Sequence, residues 1–279
     1  MGKLDRAWLL FGESYAVLCK DAEILFFPLL SGISAVLVGV SFFFPLYHAG
    51  AFETIRRGRG AWQEYAGLFA WYYANFFIGI FFNGALAACA NIRLSGGDPT
   101  VRDGLRIAFH RIGRIALWAL IAATVGLFLS SMRDRGNWVL RLLGASLGLA
   151  WSLITYLIVP VLLFEDRGVY DSIYRSEELF RSHWGEQVAG SFGFGLLSFL
   201  LCLPAFGLAA FLWRYDPVLG IIMAFFYILI LAIVSSAVKG VFTVALYRYA
   251  TQGEAPSGFS ANTIDEALGG RERGSASGY

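Results

Sequence analysis

Asn83, Pro204 and Lys239 each stand inside an apolar run, where a polar or helix-breaking residue needs a reason. Lys239 is the one lysine within such a run, with Ser235 and Ser236 about a turn before it. A charge in hydrocarbon is costly and marks a pairing or a solute path, unless it lies near a helix end and snorkels to water. Asn83 shares its run with Asn75 and Asn91 at steps of eight residues. Each step turns a helix by about 80°, so the three do not line one narrow face. Asn83 falls near mid-span, where it would either wet a path or form an interhelical hydrogen bond. Pro204 frees a carbonyl one turn back and kinks its helix. Broken helices form binding sites in transporters, and a static kink is the plainer alternative.

Other candidates lie at the ends of apolar runs. Glu165 and Asp166, followed by Glu177, Glu178 and Glu186, have the residue types for acid–base work or for binding divalent cations. Arg167, Arg175 and Arg181 are interspersed with them, which predicts a charge-balanced, solvated surface instead. His48, His110 and His183 are isolated, with no pair at the spacing of metal ligands. The glycines of Gly190-Ser191-Phe192-Gly193-Phe194-Gly195 follow no strand and precede no Lys-Ser/Thr pair, so close helix packing explains them better than phosphate binding. The same holds for Gly144 and Gly148. Cys19, Cys89 and Cys202 are scattered and read as small hydrophobes. The pattern predicts no cofactor, no metal and no catalytic residue.

The elements that position these residues are membrane spans. Of 279 residues, 57% are hydrophobic and 15% charged, with a mean hydropathy of +0.61, too apolar for a core in water to hide. A net charge of +2 leaves no footprint for nucleic acid. About 20 apolar residues cross the hydrocarbon, and six runs qualify: 24–46, 67–92, 115–132, 138–164, 188–213 and 218–247. The runs lack period-two alternation, so the class is all-α, a six-helix transmembrane bundle. Ala7 to Leu18 is interrupted by Glu13 and has no small-residue cleavage site, which predicts no cleaved leader.

Lys and Arg are about twice as frequent in the segments on the N-terminal side of the membrane, although Arg56, Arg57 and Arg59 dissent. Both termini are therefore expected in the cytoplasm. Short amphipathic stretches precede each of three hairpins, at 3–19, 99–112 and 169–184. They read as interfacial helices with their apolar stripes toward lipid, or as loop helices covering the bundle ends. Asp98-Pro99 is the expected cap of the second. The tail, 251–279, is rich in Gly, Ser and Ala and is expected to be cytoplasmic and partly disordered.

Lys20-Asp21 followed by Phe26-Phe27-Pro28-Leu29-Leu30-Ser31-Gly32 resembles the start of an uncharacterised prokaryotic multi-span integral membrane protein family. Asp98-Pro99-Thr100-Val101, Trp184-Gly185 and Ala245-Leu246-Tyr247-Arg248-Tyr249-Ala250-Thr251 resemble it too. The resemblance implies a prokaryotic cytoplasmic membrane and carries no activity or site. The expected function is non-enzymatic, organising the bilayer, a lipid or a membrane-protein partner. The alternative is a transporter or channel for a small solute or lipid, and a boundary enzyme built on Glu165, Asp166 and His183 ranks third.

Overall fold

Long apolar runs can satisfy their backbone in lipid only as helices, and the computed structural model is helical throughout, with no strand among the described residues. These are residues 3–57, 61–134, 138–183, 201–204, 206–207, 210–212, 216–253 and 256–259. The main elements are α1 (Lys3–Lys20), α2 (Phe26–His48, preceded by a 3-10 turn, Ala22–Leu25), α3 (Ala51–Arg56), α4 (Trp62–Leu94) and α5 (Val101–His110). They continue with α6 (Ile112–Asp134), α7 (Trp138–Ile154), α8 (Ile158–Phe164), α9 (Val169–His183) and α10 (Pro217–Gln252).

Five stretches are long and apolar enough to cross a membrane: Ala22–His48, Trp62–Leu94, Ile112–Arg133, Trp138–Phe164 and Pro217–Gln252. The protein is therefore a multi-pass membrane protein. The expected span at 188–213 falls mostly outside the described residues, as do the Gly190–Gly195 run, Trp184-Gly185 and the tail beyond residue 259. Its described pieces are helical, and Tyr227 Oη of α10 donates to the Leu201 carbonyl at 2.9 Å.

The two longest helices organise the rest. With 33 and 36 residues, α4 and α10 run about 50 Å and about 54 Å at 1.5 Å per residue. The hydrocarbon is about 30 Å thick, so each has about 20 Å to spare. The surplus lies at one end. Phe81 and Gly84–Ala90 of α4, and Val238, Gly240–Phe242 and Val244–Tyr247 of α10, are buried in protein, while the opposite half of α10 exposes Val218, Ile221, Phe225, Phe226 and Ile230. Apolar residues on the splayed halves face lipid; those on the packed halves form a core.

Small residues let this core close. Gly84 of α4 looks onto Leu163 and Ile115, and Gly240 of α10 receives Leu86. Gly104 of α5 lies so close that an added Cβ would stand 2.6 Å from the Ala85 carbonyl oxygen and 2.7 Å from Cys89 Sγ. Of the Gly144/Gly148 pair, Gly144 packs α7 against Met132 and Arg133 of α6, whereas Gly148 faces open space.

Four features depart from the sequence reading. The cap of α5 is Thr100, whose Oγ1 accepts from the Asp103 amide while Asp103 accepts from the Thr100 amide. Asp98 instead binds Arg93, because a reciprocal box satisfies two orphan amides where a lone Asp-Pro satisfies fewer. The apolar sides of α1, α5 and α9 are partly taken up by protein: Val17, Leu18, Ala108, Leu179 and Phe180 are all buried.

The 138–164 run is interrupted at 155–157, where Pro160 cannot donate to the Tyr156 carbonyl. There Ser176 Oγ donates to the Ile154 carbonyl at 2.6 Å and accepts from the Leu157 amide at 3.2 Å. Finally, the tail begins with an anchor. Gly253 ends α10 in the left-handed region (φ 73°), and Phe259, 8% exposed, joins the core.

Gly104→Val should therefore weaken the fold by more than about 2 kcal/mol, since overpacking here meets a backbone oxygen as well as side chains. Gly148→Val, facing open space, should leave the melting temperature of the purified protein within a few degrees of the parent, and thermal unfolding in detergent checks both.

Candidate functional site

Near the Asn83 level, α2, α4 and α10 diverge and leave a lateral groove of about 310 Å³. Ser31 and Gly32 come from α2, Gly79 and Asn83 from α4, and Ala232 and Ser236 from α10, with Phe27, Phe82, Leu86 and Ile233 as apolar walls. A Cβ added at Gly32 or Gly79 would meet nothing within 4 Å, so these glycines leave the space open. A second groove of about 370 Å³ shares Pro28, Gly32, Leu229 and Ile233 and is apolar, running past Ile33, Val36, Leu37 and Phe225. Together they form a channel along the lipid-facing side, with polar groups at one end and hydrocarbon along the rest.

Asn83 is exposed in this groove and has no hydrogen-bond partner among the described residues. It lies 21 residues past Trp62, about 31 Å along the helix. The other asparagines are engaged. Asn75 donates to the Trp71 carbonyl of its own helix, and Asn91 Oδ1 accepts from Arg248 at 3.2 Å. Lys239 is exposed, lies one turn past Ser236 and is outside the groove lining. It lies 22 residues past Pro217, about 33 Å along α10. Pro204 is exposed at the end of helical residues 201–204; Leu200, whose carbonyl a helical Pro204 would leave free, is not among the described residues.

Below the groove, a belt of ion pairs ties the packed end together. Arg93 of α4 donates to Asp21 at 2.5 Å, to Asp98 at 2.9 Å and to the Lys20 carbonyl, joining α1, the start of α2 and the approach to α5. Glu23 accepts from the Val101 amide at 2.8 Å, capping α5 from another element. Arg111 and Arg114 converge on Asp166, and hydrogen bonds from Arg114 and then Arg111 hold that carboxyl below its ordinary range. Glu165 binds Arg167 at 2.7 Å, Arg175 at 3.4 Å and Tyr247 Oη at 3.3 Å. Arg248 links α10 to Asn91 and Ser95.

These carboxylates are occupied by separate arginines. His183 is the last residue of α9, eight residues beyond the Arg175 that Glu165 binds. The belt was hidden in the sequence because its partners lie far apart, 72 residues for Asp21 and Arg93 and 157 for Asn91 and Arg248. Among the described residues no group of three His, Cys, Asp or Glu is placed to hold a metal.

The model of a family described as a family of unknown function (DUF6159) matches residues 63–259. No curated protein and no solved structure matches the chain.

Burial decides which ion pairs matter for stability. The Asp21 side chain is 8% exposed, so Asp21→Ala should cost about 2–3 kcal/mol by leaving the Arg93 charge without its buried partner. Asp166 is 83% exposed, so water screens its pairs and Asp166→Asn should have a much smaller effect. Because the folded pKa of Asp166 is lowered, its stabilisation is full above the ordinary carboxylate value and is lost as pH falls through the lowered one. The difference between parent and Asp166→Asn should thus close in acid, as followed by thermal unfolding across pH 2–7 (about one unit either side of the carboxylate range and up to neutral).

Proposed function

Because the chain belongs to this family of unknown function, which brings no activity with it, we propose from its own surfaces that this multi-pass membrane protein is a non-enzymatic organiser of lipid. The carrying observation is the lateral groove, with Ser31, Asn83 and Ser236 at one end and an apolar trough running away from them; with α4 entering the hydrocarbon at Trp62, Asn83 falls about 31 Å on, at the far boundary. That arrangement matches the layout of one lipid leaflet, with hydrogen-bonding groups at ester and headgroup depth and a slot for an acyl chain. The carboxylates at the boundary are tied to arginines, which supports a structural role for them. The protein orders a lipid, or presents a lipid-filled face to a membrane-protein partner.

The packed end collects Arg93, Arg102, Arg106, Arg111, Arg114, Arg167, Arg175 and Arg248. By the positive-inside rule, the packed end and both termini lie in the cytoplasm, and the membrane is the cytoplasmic membrane of a prokaryote. A second reading, transport of a small solute or lipid, is favoured by the interruption at 155–157, which is capped by Ser176 from another helix.

Gly79→Leu should fill the groove and reduce co-purified lipid severalfold, while stability stays within about 0.5 kcal/mol of the parent. Native mass spectrometry of protein released in mild detergent reads the lipid count, and an unchanged count removes the proposal. Solute flux in proteoliposomes that falls with Asn83→Leu or Lys239→Ala would establish the transport reading in its place.

A further inference from the structure

On the other side of α4 lies a cleft with different chemistry. The position of Ile92 is about 180° around the helix from Asn83, and Ile92 lines a space of about 790 Å³ between the packed end of α4, α5, the start of α6 and α8. Its polar walls are Arg106, His110 and Arg111, with Asp103 at one edge; Ile92, Ile107 and Leu163 supply the apolar walls.

The carboxylates near the cleft are already committed. Asp103 accepts from the Thr100 amide at 3.0 Å and its hydroxyl at 2.6 Å, and those bonds hold it ionised below the ordinary range. Asp166 is shared between Arg111 and Arg114. Arg106 is exposed and makes no ion pair among the described residues. Two carboxylates, Asp103 and Asp166, thus stand against three guanidinium groups, Arg106, Arg111 and Arg114, which leaves a net positive charge at the cleft, and His110 stands one turn beyond Arg106 on the same helix.

The position of the cleft indicates which anion fits. Phe109, 57% exposed, lies between these basic residues, and Ile112, 39% exposed, begins the lipid-facing surface of α6. A guanidinium beside an exposed aromatic ring, at the depth where a span starts, meets the phosphates of the bilayer. A free anion would gain nothing from Ile92, Ile107 and Leu163, whereas the glycerol end of a lipid would cover them.

We propose that this cleft is a binding site for an anionic phospholipid headgroup, with Arg106 and His110 donating to the phosphate and Arg111, fixed by Asp166, adding charge from the floor. A planar guanidinium suits two phosphate oxygens at once. The site does not rest on the lateral groove, since the two lie on opposite faces of α4, and Gly79→Leu should leave it intact.

The test uses the full chain in nanodiscs of phosphatidylcholine with a minor fraction of phosphatidylglycerol, extracted into mild detergent and weighed by native mass spectrometry. The parent should retain phosphatidylglycerol in preference to phosphatidylcholine. The double variant Arg106→Gln, His110→Gln should lose that retention about tenfold, as expected for removing the Arg106 charge together with the imidazole donor beside it. Arg102→Gln, on the same helix but outside the cleft, should not change it. Equal retention of both lipids by the parent, or unchanged retention by the double variant, overturns the site. Inorganic phosphate that binds the parent and displaces phosphatidylglycerol at millimolar concentration would overturn the lipid assignment in favour of a soluble anion.

Discussion

The packed end depends on one constraint: the run Gly84-Ala85-Leu86-Ala87-Ala88-Cys89-Ala90 of α4 is buried around its whole circumference. A helix can be surrounded this way only if its side chains are short, because each neighbour must approach a surface that is nearly backbone. Because this end is the part of α4 in excess of the hydrocarbon thickness, burial of apolar surface adds to close packing there. Gly84 admits Leu163 and Ile115, the Ala85 carbonyl lies under Gly104, and Leu86 fills the space at Gly240. The small residues of α4, α5 and α10 are thus complementary, and the short helices have a surface on which to settle.

Length follows from the same arrangement. Because α4 and α10 exceed the hydrocarbon thickness, the protein has a splayed half facing lipid and a packed half facing itself. Apolar residues do both jobs, and hydropathy cannot tell them apart. Polar residues mark the border. Ser31, Asn83, Ser236 and Lys239 fall near one level, and the ion pairs lie beyond it toward the packed end. Arg93 joins three segments there, so the order of the short helices is set by charge and their depth by packing.

The two cavities exploit opposite sides of that border. The groove between α2, α4 and α10 is mostly apolar with a few hydroxyl and amide groups, whereas the cleft beside α5 is basic with a partly apolar floor. Their lining residues on α4, Asn83 and Ile92, lie about 180° apart around the helix. The interruption at 155–157 belongs to the packed half as well, and Ser176 satisfies the amide and carbonyl that the break exposes. Unsatisfied, those groups would be costly at such depth.

What the sequence by itself determined is the class of the protein. Apolar runs of spanning length force helices, and the observed bounds of α2 with its leading 3-10 turn, α4, α6 and α10 contain the runs read from hydropathy. The three short helices were also legible, because amphipathic spacing and nearby caps are local signals. Asn83 and Lys239 could be singled out by type, yet their depth could not, since a run of apolar residues carries no mark of where lipid ends and protein begins. Only tertiary structure decided that the last turns of α4 and α10 are core, that Phe259 returns to the core, and that Arg93 meets Asp21 across 72 residues. The physical reason is range: helix formation is written in neighbours three and four residues apart, while burial, ion pairing and cavities depend on which distant helices meet.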